Sequence, residues 1–559
     1  MTKWILGLIL IVSFIVRIIG LDYGLPQQFV ADEFLMVAVS LKMFDEGSLR
    51  PYFPDIFYHQ PLTAYISSLG IGVYLAWDML TGKFADLESL KNYYAIHSSE
   101  LLIVVRFLSV LFGVATVLLL YFIGRDLFNK RVGLLAAFFG AFELLLVQFN
   151  HTGRVWGILP FFIALALWAN VKLWRNDDVK NYIKAALASV AALLTLLPGI
   201  LTFIQTIVVK FSWKNKKLWL AVGVVFLGLV VGLYLNPRGL GVLLLRFNIE
   251  IPELSQTIFN APTNPIDHSA TDTIWQRIFD PFLTMFGYIP IYLILFFIGL
   301  VVLWRKDRKI FWLLTSFPLV YYLFIGPFFA YGWVARTMLP LVIYCLVVAA
   351  FVVDRWLDGQ WLKANRVAAV FLVLVVSLPS IIMTISFDAK IVKADTRTQA
   401  VEWIYENLLE NSRIIAYSVS NEVINQNREV LKTMSLVASG DMNTRQRTLL
   451  VADDELFPRP YYFAWDLRKT SVDKLPDNFF RDNGFKYYYN VRWDNIGDGH
   501  LHEIENLFSN KKLIAQFKPF EGDREFDNNF ANNIRNPLRV LLSVERFGPI
   551  VEIYEVSFR

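Results

Sequence analysis

The sequence predicts a polytopic α-helical membrane protein that carries a C-terminal α/β domain. Three observations lead there. Hydrophobic residues make up 56% of the 559 and charged residues 18%, where soluble domains run about 45–50% and about 25%. Mean hydropathy is +0.46. Charge is concentrated late in the chain: residues 388–559 hold 26 acidic and 23 basic side chains, 49 of the 101 formal charges. The chain therefore divides into a membrane region, residues 1–386, and a water-exposed domain, residues 387–559. Disordered, fibrous and ordinary cytosolic classes are excluded. A net charge of +5 gives no case for a nucleic-acid partner, and the domain's near-neutral balance argues against an acidic polymer. The single cysteine, Cys345, allows no internal disulfide and no cysteine cluster for a metal.

The first apolar run, residues 4–21, has Arg17 near its end and no small-x-small cleavage site after it, so it reads as an uncleaved first span. A span needs about 20 apolar residues, fewer where neighbours shield its ends. Further spans read over 101–123, 132–149, 155–172, 184–197, 199–211, 218–235, 287–304, 310–325, 337–353 and 367–386. The pair 184–197 and 199–211 breaks at Leu197-Pro198-Gly199, a tight turn between two helices. Lys and Arg favour cytoplasmic connections. The basic connections are Arg125 with Lys130 and Arg131, then 172–184, 210–217, 305–309 and 355–366. They share one side only if residues 61–80 dip into the outer leaflet and return as a re-entrant helix. Eleven spans result, with a cytoplasmic N-terminus, an extracytoplasmic C-terminal domain, and two outer loops over 22–100 and 236–286. In the domain a helix is expected over 396–409 and strands over 413–419, 447–451, 486–489 and 549–556. The aromatic triplets at Tyr461 and Tyr487 read as strand core in preference to sugar-stacking platforms.

The first outer loop contains Gln27-Gln28-Phe29-Val30-Ala31-Asp32-Glu33-Phe34. Two adjacent carboxylates about ten residues past a span sit near the membrane surface. They read either as a solvated pair or as a catalytic base beside a binding carboxylate, the second being useful where a hydroxyl or amine is deprotonated as it attacks. His59, in Tyr58-His59-Gln60-Pro61-Leu62, precedes a proline suited to a helix's first turn. Arg106 lies about one turn inside a span, a depth at which charge is paired, functional or snorkelling. His151-Thr152-Gly153-Arg154 forms a short outer turn, and Arg336 opens the run before Leu339-Pro340. Arginine forks match phosphate oxygens; lipid headgroup contact is the alternative for each. Carboxylates and cations converging at one membrane face suit a reaction between a lipid-borne phosphate and an external nucleophile. Zinc spacing is absent, His500-x-His502 standing without enough strong ligands nearby. No phosphate-cradling Gly-rich loop is found.

In this order the residues resemble a known family. Asp32-Glu33, His59-Gln60-Pro61-Leu62, Arg106, His151-x-x-Arg154, Arg336-x-x-Leu339-Pro340, Asp395-Thr396-Arg397 with Trp403-Ile404, and the chain end Gly548 to Tyr554 are similar to the polyprenyl-phosphate-sugar-dependent glycosyltransferases of the membrane GT-C class. The nearest branch is the one holding protein O-mannosyltransferases and the lipid A aminoarabinose transferase. The resemblance implies that Asp32 is the catalytic base and that Glu33 helps place acceptor or donor. It implies that His59 and Arg336 meet the donor phosphate, with Arg106 beside them, and that Arg154 binds that phosphate or orders the first loop. Two departures stand out: residues 155–160 lack the acid many members carry there, and Gln60 replaces the second proline of His-Pro-Pro-Leu.

The activity expected is therefore transfer of a sugar, with inversion, from a polyprenyl-phosphate carrier in the membrane to an extracytoplasmic acceptor. That acceptor is a protein, lipid or glycan of the cell envelope. The lipid-linked sugar is a substrate, no cofactor is called for, and dependence on a divalent metal is left open. Three rivals remain at this stage: a lipid or solute transporter, a non-catalytic scaffold with an external domain, and a ligase moving whole glycans from lipid diphosphate.

Overall fold

The computed structural model describes residues 2–30, 32–51, 61–236, 274–328, 335–360, 365–417, 424–437, 444–451, 457–467, 475, 478–492, 506–522, 534 and 536–559. The apolar runs become helices. In chain order the first eight are α1 (Thr2–Ile18), α2 (Phe34–Asp45), α3 (Pro61–Leu80), α4 (Leu87–Ile96), α5 (Ser99–Leu127), α6 (Lys130–Ala141), α7 (Leu144–Asn150) and α8 (Val155–Arg175). Polar residues between the runs cap them. Asn129 accepts from the N–H groups of Arg131 and Val132, Asp178 from Asn181, and Asn215 from Lys217 and Leu218. Each cap satisfies donors that the helix start leaves open.

Among the described residues five helices are long and apolar enough to cross a membrane, or seven if two bent pairs each count as one span. The bent pairs are α6 with α7, turned by 56°, and 278–288 with Pro290–Lys306, turned by 113°. Helix α3 is not among them, although Leu69, Val73, Trp77 and Leu80 stand exposed on it. The expected break at Pro198 is a 3-10 turn, Leu197–Thr202, running into the helix Phe203–Lys210. The helix Leu339–Leu357 is apolar all round and lies at the centre of the bundle, with Leu339 to Val353 buried throughout. Lys216–Leu235 lies at the edge, where Trp219, Phe226 and Tyr234 face outward. Helices α5 and α6 touch backbone to backbone: a Cβ on Gly133 would stand 2.5 Å from the Tyr121 carbonyl oxygen. Small residues permit such close contacts where water supplies no hydrophobic drive.

Ion pairs tie the basic connections to one another. Arg131 Nη2 reaches Asp358 at 2.6 Å and its Nε also pairs with Asp354. Lys172 reaches Asp126 at 2.7 Å, while Lys217 and Lys210 stand 3.7 and 3.9 Å from Asp177.

Beyond the helix Arg366–Ile391 the described residues form one sheet of five strands, β1 (Arg413–Tyr417), β2 (Phe463–Asp466), β3 (Tyr487–Arg492), β4 (Phe508–Phe517) and β5 (Ile550–Phe558), ordered β2-β1-β3-β5-β4. Strand β1 runs parallel to β2 and β3, and β5 is antiparallel to β3 and β4. Alternation along each strand builds two cores. Ile414, Tyr489, Val551 and Ile553 pack with Val401 and Ile404 of the helix Thr396–Asn407. Ile415, Tyr488 and Val556 pack on the other face with Val430 and Met434 of the helix Arg428–Val437. Tyr462, Tyr488 and Tyr489 are sealed in these cores. Residues 447–451, expected as a strand, instead end the helix Thr444–Val451. Arg, Gln and Leu favour helix there, and the buried Gln446 and Leu449 stand three residues apart on one face.

Candidate functional site

The site is built where the loop after α1 meets the turn between α7 and α8. Arg17 anchors that meeting point. It is fully buried and donates to Ser13, to the carbonyls of Gly140 and Ala141 at 3.0 Å each, and to Asn150 Oδ1 at 2.9 Å. Asn150 in turn donates to the carbonyls of Ser109 and Gly157 at 3.1 and 2.9 Å. His151 places its ring nitrogens 2.8 Å from the Val147 carbonyl and 2.9 Å from that of Ile19. The turn that carries Arg154 is thereby fixed to the end of α1.

Glu33 and Arg106 form a forked ion pair sealed from water. Nε meets Oε1 and Nη2 meets Oε2, both at 2.7 Å, and both side chains are 1% exposed. The Arg106 Nη1 group donates to the carbonyls of Leu21 and Tyr23 at 2.6 and 2.8 Å. The Gly153 N–H donates to Glu33 Oε1 at 2.6 Å. The turn is tight there: a Cβ on Gly153 would lie 3.1 Å from Val105 and 3.3 Å from Glu33. Arg106 was expected near the donor phosphate; the structure spends four of its five N–H groups on Glu33 and the loop backbone.

Asp32, the neighbouring carboxylate, is placed differently. Its side chain is 42% exposed, and its φ of 61° lies in the left-handed region. Such a conformation in a residue with a Cβ stores strain that the surroundings must hold. Arg154 Nη2 stands 3.5 Å from Asp32 Oδ2, and Arg336 Nη1 stands 4.0 Å from the same oxygen. Arg154 occupies the position before the first residue of α8 and is 3% exposed; Arg336 lies in the turn Ala335–Met338 with its guanidinium 5.9 Å from the centre of the Trp156 ring. The three residues come from stretches 122 and 182 positions apart and share one partly open place. Asp32, Arg154 and Arg336 are thus brought together, with Glu33 and Arg106 directly behind them. His59 lies outside the described residues, as do His500 and His502. Among the described residues no group of three or more His, Cys, Asp or Glu side chains converges as a metal site would require.

The sheet domain grips the same loop. Asp395 caps the helix Thr396–Asn407 and accepts two bonds from the Arg397 guanidinium, at 2.8 and 2.9 Å, and one from the Tyr23 hydroxyl. Burial and the Asp395 carboxylate push the Tyr23 phenol well above its ordinary pKa, so it stays a donor. Arg397 lies 3.8 Å over the ring of Phe29, three residues before Asp32. The motif Asp395-Thr396-Arg397 thus holds the loop bearing Asp32. Nothing local in the sequence gave it that partner, since Tyr23 and Phe29 are more than 360 residues away.

Residues 92–236 match the family described as dolichyl-phosphate-mannose-protein mannosyltransferase. The match includes Arg106 and Arg154 and leaves Asp32, Glu33, His59 and Arg336 outside it. No curated protein matches the chain. Among solved structures, the Archaeoglobus fulgidus oligosaccharyltransferase in its apo form aligns with a TM-score of 0.47 at 13% identity, covering 88% of this chain and 69% of that one. ArnT from Cupriavidus metallidurans, bound to undecaprenyl phosphate, aligns with a TM-score of 0.47 at 14% identity, covering 99% and 98%. The S. cerevisiae Pmt1-Pmt2 complex bound to its sugar donor aligns with a TM-score of 0.31 at 18% identity, covering 47% and 37%. Over residues 92–236 the chain is similar to the dolichyl-phosphate-mannose-protein mannosyltransferases, the likeness to which its motifs had pointed.

Proposed function

We propose that this chain is an integral-membrane glycosyltransferase that moves a sugar from a polyprenyl-phosphate carrier to an extracytoplasmic acceptor, with inversion at the anomeric carbon. One observation carries the reading: a partly exposed carboxylate, Asp32, held in strained backbone within 3.5 Å of Arg154 and 4.0 Å of Arg336. The family match over residues 92–236 favours transfer over transport.

In the proposed step the acceptor hydroxyl or amine gives its proton to Asp32 as it attacks the anomeric carbon. The bond from that carbon to the phosphate oxygen breaks, and its electron pair stays on the phosphate. A diester becomes a monoester, so negative charge grows on the leaving oxygens. Arg154 and Arg336 stand ready for it, because their contacts with Asp32 are long enough for an arriving phosphate to displace. Glu33 and Arg106 act behind them, fixing the loop so that Asp32 keeps its place. His59, outside the described residues, is assigned to the donor phosphate by the motif resemblance alone. The donor's tail stays in lipid, which explains the many spans.

The same proposal gives eleven spans, a cytoplasmic N-terminus and an extracytoplasmic sheet domain. The ion pairs joining the basic connections at 125–131, 172–184, 210–217 and 354–358 support one common face for them, and the Asp32 site stands at the opposite helix ends. Incubating the purified chain with a panel of lipid-phosphate sugars and candidate acceptors, then weighing the products, tests the reading. A product heavier by one sugar supports it; solute flux without any sugar transfer from the whole panel contradicts it.

A further inference from the structure

At the helix ends opposite Asp32 the chain has a second cationic place. A shallow, open cavity of about 670 Å³ lies on the surface between the end of α5, the start of α6 and the end of α8, lined by Arg125, Asp126, Asn129, Lys130, Arg131 and Arg175. Helix α8 spans 21 residues from Val155 to Arg175. At 1.5 Å per residue this is about 30 Å, one hydrocarbon thickness from the Arg154 end. The cavity is therefore separate from the Asp32 site and lies at the other membrane surface.

The charges around it do not cancel. Four cations, Arg125, Lys130, Arg131 and Arg175, line it with one carboxylate, Asp126; Lys172, Asp354 and Asp358 enter as ion-pair partners of these. The carboxylates are engaged. Asp126 is 5% exposed and takes Arg125 and Lys172 at 2.7 Å each and the Trp168 indole N–H at 3.0 Å. Asp354 and Asp358 are taken by Arg131. Among the described residues no ion pair involves Lys130 or Arg175, so two cations are left facing the cavity. One turn before Arg125 and Lys172 on their helices, Phe122 and Trp168 stack at 5.6 Å, with Arg125 4.8 Å over the first and Lys172 5.4 Å over the second. Unpaired cations at the rim, an aromatic pair beside it and interfacial depth together match a phosphodiester head whose acyl chains remain in the bilayer.

We propose that this cavity binds the phosphate head of an anionic glycerophospholipid, with Lys130 and Arg175 as the contacts that set its charge preference. Asp126 orders Arg125 and Lys172 and keeps the site from closing on its own cations. The proposal stands apart from the sugar-transfer reading, since none of its residues reaches Asp32.

The test uses the full chain in neutral detergent. Short-chain phosphatidylglycerol, short-chain phosphatidylcholine and inorganic phosphate are titrated separately while thermal unfolding is followed, and retained lipid is counted by native mass spectrometry. The expected result is a saturable rise in Tm and a retained molecule with phosphatidylglycerol alone. The double variant Lys130→Gln/Arg175→Gln should bind it about 30-fold more weakly, from about 1 kcal/mol for each cation lost. Arg175→Lys, which keeps the charge, should bind within a few-fold of the parent. Both substituted side chains are exposed, so the lipid-free Tm serves as the folding control. Equal effects of the two lipids, or unchanged affinity in the double variant, overturns the proposal. An equal rise with inorganic phosphate also overturns it, by assigning the site to a free anion.

Discussion

Replacing Glu33 by glutamine separates the roles of two adjacent carboxylates. The parent side chain accepts three bonds, two from the Arg106 fork at 2.7 Å and one from the Gly153 N–H at 2.6 Å, in a place 1% exposed. A glutamine oxygen at the Oε1 position keeps the Arg106 Nε and Gly153 bonds. Its NH₂ then faces the Arg106 Nη2 donor at the distance where Oε2 stood, two donors without an acceptor between them. The Arg106 charge is left buried without its counter-ion. Breaking a buried pair from one side costs about 3–5 kcal/mol, so Glu33→Gln should unfold well below the parent in a thermal melt. The double variant Glu33→Gln/Arg106→Met should recover part of that loss, since it removes the stranded charge as well. Asp32→Asn should melt like the parent, because Asp32 is 42% exposed and its ionic contacts are 3.5 and 4.0 Å long. If Glu33→Gln melts with the parent and loses only turnover, Glu33 acts on substrate and the positioning role assigned to it is wrong.

Further outcomes follow from the same geometry. Arg336→Gln should leave the fold intact and lower transfer by about 10²–10³-fold, the usual effect of removing one stabilising donor for developing charge, read as initial rates with saturating donor. Tyr23→Phe deletes a hydroxyl donor to the buried Asp395 carboxylate and should cost about 1.5–3 kcal/mol, seen as earlier proteolysis at the junction before the helix Thr396–Asn407. Gly153→Ala forces a methyl to within 3.1 Å of Val105 and 3.3 Å of Glu33; a loss of about 1–3 kcal/mol is expected, with a lowered Tm, and an unchanged melt would show that the turn yields freely.

The helices were legible because membrane burial writes itself into the sequence as long apolar runs. The runs at 101–123, 155–172 and 367–386 sit inside the helices Ser99–Leu127, Val155–Arg175 and Arg366–Ile391. The Pro198-Gly199 break was legible for the same local reason: proline and a crowded glycine interrupt a helix whatever surrounds them. Residues 447–451 were misread because a five-residue stretch with scattered apolar residues fits both periods, and packing of Gln446 and Leu449 decided it. Asp32, Glu33, Arg106, Arg154 and Arg336 were named through the ordered motifs, but the contacts that divide them into two groups were not. Arg106 and Glu33 are 73 positions apart, and only the fold shows that this arginine's donors are spent on that carboxylate. Arg17 carried one signal, a lone cation in an apolar run, which marks a buried hub as readily as a span end.

The most direct test of the central claim is single-turnover transfer by Asp32→Asn in membranes loaded with a polyprenyl-phosphate sugar that the parent uses. Removing the base while leaving both arginines should lower the transfer rate by about 10²–10⁴-fold, with labelled donor still retained and the melt unchanged. Transfer at the parental rate would contradict the account, for it would leave the carboxylate between Arg154 and Arg336 with no part in the chemistry.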